Sequence, residues 1–311
     1  MPGRAEISDR LPHKIQVEQQ ADRLVFTSDA GPMATYVFGD REIQRPYFAH
    51  VHVPGGRQIT RHHPPRTGID ATDHATMHPG IWLAFGDIGG GDFWRNKGRV
   101  EHALFVERAT AKAEGKDGVA RFAVRNRYVA GDKTICEEIA RHTVHATRNG
   151  YLIAFDSTFS GNEPFAFGDQ EEMGLGIRLA TPVAVKGGTG TIANSAGDRN
   201  ENEVWGRPAD WCDYSGVVTQ NSGRKVRIGL LLVPHSGNFR RSWMHARDYG
   251  LLVANPFGQQ AFTKMGPASS LEVKPGESLR LRFGVWSYAA RLDQKTDLAA
   301  LAAEYHRLAG E

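Results

Sequence analysis

The sequence predicts an all-β protein of two packed sheets with one short helix at its C-terminal end. Three observations carry that expectation. Segments of strand length with alternating apolar and polar residues recur from Ile15 to Trp286. They are separated by Gly-bearing turns, in a chain with 35 glycines and no repeat period. Only the tail, Asp297 to Ala309, spaces its apolar residues at helical intervals. The turn spacing implies about 16 to 20 strands, more than one open sheet holds, so two sheets stacked face to face are expected.

Taken in order, Met1 to Lys14 is a polar, charged arm. Ile15 to Thr27 reads as two strands around a polar turn near Gln20 to Asp22, followed by a short strand over Thr35 to Phe38. Tyr47 to Val53 alternates as a strand, with His50 and His52 on the face of Phe48 and Tyr47, Ala49, Val51 and Val53 on the other. After the turn Pro54-Gly55-Gly56 comes a long irregular segment, of the kind that in compact domains is usually functional or disordered. Val100 to Ser160 reads as an antiparallel meander. Phe122, Val124 and Tyr128 share a face opposite Arg121, Arg125 and Arg127. Tyr151, Ile153, Phe155 and Phe159 oppose Asp156, Thr158 and Ser160. Asn149-Gly150 is the strongest hairpin signal. Val226 to Val233 is an apolar strand with His235 just past its end, and Leu271 to Trp286 reads as a closing hairpin around Pro275-Gly276. The helix 297–309 has Thr296 or Asp297 as its cap and Gly310 as its stop. With no linker-like composition shift, residues 1–311 are expected to form a single domain.

Composition narrows the function classes. Basic residues number 38 and acidic ones 35, a formal charge of +3, so there is no electrostatic case for nucleic acid. No apolar run reaches membrane-spanning length, and the N-terminus lacks a signal-like apolar stretch, so a cytoplasmic protein with no membrane partner is expected. Cys136 and Cys212 are not in a CxxC pair and are expected as buried thiols rather than a disulfide. The sequence sets no oligomeric state.

The stretch Thr72 to Arg95, TDHATMHPGIWLAFGDIGGGDFWR, concentrates His74, His78, Asp73, Asp87, Asp92, Trp82 and Trp94 among five glycines. Titratable groups beside flat rings, on backbone free to turn tightly, suit a small-molecule site better than a plain core. His74 and His78 would share a face on a helical turn, but on an extended strand they would stand about 13 Å apart, too far for one ion. The glycines do not form a phosphate loop, because the Lys and Ser/Thr are missing. Farther on, Glu171, Glu172 and Arg178 lie close together. If that segment is extended, the two glutamates point to opposite faces.

The segments RPYFAHVHVPGG, TDHATMHPGIWLAFGDIGGGDFW, EEMGLGIRLA, WGRPADWCDYSG and RDYGLLVANPFG resemble the PmoA family of bacterial proteins, from about Phe26 to Val285. That resemblance implies a β-supersandwich similar to galactose mutarotases and polysaccharide lyases, and its label implies a methane-oxygenase activity.

The residues point first to a carbohydrate-directed enzyme acting on a small-molecule or oligosaccharide substrate. Epimerisation, mutarotation and β-elimination each need a general base and a general acid around a polyol. His74, His78 and His235 are the acid/base candidates and Glu171 the carboxylate. Arg178 is the substrate clamp, Trp82 and Trp94 are the stacking faces, and Asp87 and Asp92 are further substrate contacts. No cofactor is needed for that chemistry. The alternatives are a metal-dependent oxygenase, with a divalent metal on His74, His78 and His235, and a non-catalytic carbohydrate-binding protein.

Overall fold

The structure, a computed structural model, describes residues 14–220 and 223–310. The expected polar arm, apart from Lys14, lies outside the described residues. The chain opens with β1 (Ile15–Gln19), β2 (Arg23–Ser28), β3 (Gly31–Val37) and β4 (Tyr47–Ala49), and crosses a long irregular segment to β5 (Ile81–Phe85). The meander is β6 (Arg99–Glu114), β7 (Asp117–Ala130), β8 (Lys133–Thr147) and β9 (Gly150–Ser160). Then come β10 (Phe165–Phe167), β11 (Met173–Arg178), β12 (Thr191–Asn194), helix α1 (Asn200–Val204), β13 (Arg207–Pro208), β14 (Cys212–Thr219) and β15 (Lys225–Pro234). The last part holds β16 (Trp243–Arg247), β17 (Leu251–Asn255), helix α2 (Gln259–Thr263), β18 (Leu271–Val273), β19 (Leu279–Arg291) and helix α3 (Leu298–Leu308).

Among the described residues the strands form two large antiparallel sheets and one small one. The nine-stranded sheet has the order β1-β2-β3-β4-β5-β11-β17-β16-β13, and the eight-stranded sheet β12-β14-β15-β19-β9-β8-β7-β6; β10 and β18 pair separately. The sheets are packed face to face by rings contributed from both. Phe26 stacks on Phe122 at 5.9 Å, Tyr36 meets Phe122 at 4.8 Å and Phe48 meets Phe155 at 5.5 Å. The all-β two-sheet architecture is the one the alternating segments predict.

Each sheet also has a covered outer face, which is why its central strands are apolar on both sides. On β5, Ile81, Leu83 and Phe85 enter the core between the sheets, while Trp82 and Ala84 join a second cluster with Trp94, Leu251 and Val253 on the outer face. On the eight-stranded sheet the outer face of Leu152, Leu231, Val233 and Trp286 is closed by Leu301, Ala302 and Tyr305 of α3. That helix begins as expected, with the Asp297 carboxylate accepting from the Ala300 amide at 3.0 Å. Cys136 and Cys212 are buried and unbridged. No helix among the described residues is long and apolar enough to cross a membrane.

Four local expectations are corrected. β4 stops at Ala49, because His50 takes a left-handed φ of 49°, so the alternation expected through Val53 is not maintained. Leu271 to Trp286 is not a hairpin: β18 pairs with β10, whereas β19 lies between β15 and β9. The turn expected at Asn149-Gly150 falls one residue earlier, with Gly150 already paired to Thr147. Finally, the tail is not the only helical segment: α1 and α2 are single-turn helices, too short for periodicity to reveal.

Candidate active-site cleft

The outer face of the nine-stranded sheet carries the site. Its floor begins with β11, whose residues Met173, Leu175 and Ile177 enter the core while Gly174, Gly176 and Arg178 face outward. A side chain at Gly176 would fill the space the indoles use: a Cβ there would lie 2.6 Å from Trp82 Cζ2 and 3.0 Å from Trp94 Cη2. Trp82 and Trp94 meet edge to face at 5.3 Å and are 0% and 1% exposed.

On this base the residues after Asp73 make a single helical turn. His74 takes a left-handed φ of 49°, and its carbonyl accepts from the amides of both Met77 and His78 at 3.0 Å. The turn stacks the two imidazoles at 4.8 Å and 20° between planes. His78 in turn lies on Trp82 at 5.0 Å and 15°, and His74 faces Tyr249 at 5.9 Å and 18°. The result is a pile of near-parallel rings running from Tyr249 through His74 and His78 to Trp82.

Buried arginines hold the irregular segments in place. Arg61 donates to the carbonyls of Ala71 (2.8 Å), Asp73 (2.6 Å), His74 (3.3 Å) and His78 (3.1 Å). Arg45 donates to the carbonyls of Phe93 (3.3 Å), Trp94 (3.0 Å) and Met77. Arg178 donates to Asp73 Oδ1 at 2.7 Å and lies 4.6 Å beneath the Tyr249 ring. The second oxygen of Asp73 lies 2.8 Å from Nδ1 of His74. Burial opposes ionisation of Asp73, but its bonds to Arg178 and His74 and the nearby charges bring its carboxyl down to about 2. An ionised Asp73 accepts the Nδ1 proton and leaves the Nε2 lone pair of His74 available.

His78 is different. Burial first, then the charges of Arg178, His74, Arg45 and Arg61, push its imidazole down to about 2, so it is neutral at any physiological pH. It serves as a packed neutral ring and a poor proton acceptor.

The opposite wall comes from β16, the segment before β11 and Arg95. Glu172 pairs with Arg95 at 2.7 Å, and Arg95 is also held by Asp92 at 3.2 Å. Arg247 donates through Nε to His245 Nε2 at 3.1 Å, through Nη1 to Glu201 at 3.0 Å, and lies 3.4 Å from Glu171. His245 is 3% exposed, and burial above all lowers it to about 4. Between these walls is a cleft of about 140 Å³, lined by His74, His78, Glu172, Arg95, Arg247 and Tyr249 among others. A larger hollow of about 210 Å³ lies beside α3 on the other sheet. Its acids Glu107 and Asp156 are matched to Arg141 and Arg280, and no carboxylate–histidine pair opens on it.

Not all the residues singled out from the sequence converge. His74 and His78 do, and Trp94 lines the same cleft. Trp82 is beneath His78 with no face open to a ligand. Arg178 is 1% exposed and grips Asp73, so it acts on the wall from behind. Of the two glutamates Glu172 lines the cleft and Glu171 steadies Arg247; residues 171–172 form a bend rather than an extended strand. Asp92 positions Arg95, and Asp87 accepts from the Gly90 amide at 3.0 Å in a turn away from the cleft. His235 follows β15 on the other sheet, 5.9 Å from the Tyr305 ring and 5.2 Å from His306. The set His74, His78 and His235 is therefore not assembled as metal ligands. No group of three or more potential ligands with metal-holding geometry occurs among the described residues, and three guanidiniums bias the floor around His78 against a cation. The residues here do not fit the metal of the oxygenase reading.

His245, Arg247 and Tyr249 were not picked out from the sequence. The alternation Trp243, His245, Arg247 along β16 is the one local sign that they share a face.

Solved structures similar to this chain match it at low identity. A galactose mutarotase-like protein from Clostridium acetobutylicum matches over 90% of this chain and 99% of its own, at 10% identity and a TM-score of 0.45. A candidate aldose 1-epimerase from Klebsiella pneumoniae matches over 96% and 87%, at 9% identity and 0.48. The GH36 alpha-galactosidase AgaA from Geobacillus stearothermophilus matches over 90% of this chain and 41% of its own, at 11% identity and 0.41. No curated protein sequence matches. The methane-oxygenase label attached to the resembling family finds no support in these comparisons. A family model matches residues 23–303, nearly the whole described chain, and this protein belongs to that family, described as the family of unknown function DUF6807.

Proposed function

We propose that the cleft binds a carbohydrate and moves a proton on it, in an isomerisation or elimination. The observation that carries this reading is the Asp73–His74 pair opening on a cleft that Glu172 lines from the other side. With its Nδ1 proton donated to Asp73, His74 presents Nε2 as a general base for a C–H or O–H proton. Glu172, held by Arg95, is the second proton-handling group, and with Asp73 and His74 it replaces the set His74, His78, His235 and Glu171. The rings of Tyr249 and His74 line the cleft beside the apolar side of a sugar, while the guanidiniums of Arg95 and Arg247 meet hydroxyl oxygens. His78 and Trp82 keep the base in position by stacking beneath it. The reading calls for no metal or organic cofactor.

The test is a panel of aldoses and sugar acids followed by proton NMR in deuterated buffer. Anomeric exchange reports mutarotation, loss of a C–H signal reports epimerisation, and a new vinylic signal reports elimination. One of the three should appear with the wild-type chain and vanish in His74→Ala. A rate untouched by that substitution, or silence across the panel, would sink the proposal.

A further inference from the structure

The layer behind the cleft holds more positive charge than its own ion pairs balance. Arg45, Arg61 and Arg178 are 3%, 1% and 1% exposed. Among the described residues one carboxylate forms ion pairs with them, Asp73, at 2.7 Å from Arg178 and 3.7 Å from Arg61. Three positive charges therefore share one ion-paired carboxylate, while Asp70 near Arg61 and Asp92 near Arg45, already engaged by His62 and Arg95, act from farther off. The backbone carbonyls around Arg45 and Arg61 supply dipoles but no charge. The Nε groups of all three arginines, and Nη1 of Arg178, have no acceptor in the protein. His78, stacked above them, contributes no counter-charge. The rim is different: Arg95 is matched by Asp92 and Glu172, and Arg247 by Glu171 and Glu201. The excess is therefore one layer behind the wall made by His74 and Tyr249, out of reach of solvent screening. Buried charge without a partner is costly, and proteins accumulate it where a ligand supplies the missing sign.

We infer that the substrate is a sugar acid, whose carboxylate sits on the His74–Tyr249 side of the cleft and completes the charge balance of Arg45, Arg61 and Arg178. This rests on the carbohydrate reading above and narrows it from sugars to their anionic derivatives.

Calorimetric titration of the full chain at low salt separates the two claims. The probes are D-galacturonate and D-gluconate, the neutral sugars D-galactose and D-glucose, and acetate as a bare carboxylate. The expected result is that at least one acid binds about tenfold or more tightly than its neutral counterpart and than acetate. Neutral sugars binding as tightly as the acids would overturn the inference and leave the carbohydrate reading standing. Acetate binding as tightly as the acids would overturn it in favour of a plain anion site. Binding of none of the sugars would remove the carbohydrate reading and this inference with it.

Two variants locate the charge. Arg178→Gln should weaken acid binding about tenfold and leave neutral sugars unaffected. Because loss of Arg178 can also unfold the loop, Asp73→Asn is the companion. It keeps all three guanidiniums, removes their one ion-pair partner and should tighten acid binding severalfold. Acid affinity unmoved by Asp73→Asn would place the anion elsewhere and overturn the inference.

Discussion

Gly176 and Trp82 are complementary: the indole occupies the space that any side chain at position 176 would need, with Cζ2 only 2.6 Å from where a Cβ would stand. The whole ring pile of Trp82, His78 and His74 rests on that contact. Gly176→Ala should therefore cost about 1–3 kcal/mol through overpacking. It should also move His74, so that turnover falls by more than the loss of folded protein explains. Urea melts followed by tryptophan fluorescence give the first quantity, and rates normalised to folded fraction give the second. An alanine accepted without cost would mean that the indoles are not seated as described.

Asp73 has two functions that one substitution separates. As the partner of Nδ1 it sets the tautomer of His74; as the partner of Arg178 it anchors the loop. Asp73→Asn keeps the size and loses the charge. Activity should drop about 10²- to 10⁴-fold, the usual span for a disabled acid–base group. Stability should fall by about 1–3 kcal/mol, the worth of hydrogen bonds to a charged group. The check is kcat at saturating substrate beside a denaturant melt. A stability loss with unchanged kcat would make Asp73 a structural anchor alone.

Much of the fold is legible from residue patterning, because a half-buried strand writes its two faces into alternate positions. Phe122, Val124 and Tyr128 are buried and Arg121, Arg125 and Arg127 are not, as the pattern of β7 predicts. Alternation says nothing about partners, however. β18 and β19 look like a hairpin in sequence, yet their neighbours are set by distant strands, β10 for β18 and β9 and β15 for β19. The site divides in the same way. The segment 72–95 stands out because it mixes titratable groups, rings and glycines locally. His245, Arg247 and Tyr249 reach it only because β16 and β17 are laid beside β11 in the sheet, a relationship with no local signature. His235 stands out by its position after an apolar strand, but that strand belongs to the other sheet.

The buried histidines make stability depend on pH in a definite direction. Burial above all lowers His78 to about 2, His142 to about 3, and His145 and His245 to about 4, from an ordinary value of 6.5. Below pH 6.5 the unfolded chain takes up protons that the folded chain refuses, so their contribution is present above that value and lost as pH falls. Each is worth about 1.4 kcal/mol per pH unit while the difference lasts. Asp213, raised by burial to about 6 from 3.8, and Glu138, also raised by burial, act in the opposite sense. The lowered histidines, with His50, His52, His63 and His102 shifted the same way by burial, outnumber the two raised acids, so the balance is a loss of stability as pH falls. Melts at pH 7.5, 6 and 5 should show a steep decline. A flat profile would mean that these histidines protonate inside the fold.

Glu138 offers a test of the core between the sheets. It is on the inward face of β8, 4% exposed, accepting from Asn126 Nδ2 at 2.9 Å and from the Tyr128 hydroxyl at 3.3 Å. Burial raises its carboxyl, so its favourable contribution is complete below the unfolded value of about 4.5 and is lost as pH rises through the folded value. Glutamine has the shape of the neutral acid and never ionises. It still accepts one hydrogen bond, and its new N–H has an acceptor nearby in Asn126 Oδ1, which has no other partner. Glu138→Gln should match the wild-type chain in acid and exceed it at pH 8, because only the wild type then bears a buried charge or the cost of avoiding one. The measurement is the difference in unfolding free energy between the two chains at pH 5 and pH 8. A glutamine variant that is weaker at pH 8 than at pH 5, relative to wild type, would show that the carboxylate is ionised in the fold and satisfied there by partners that an amide cannot replace.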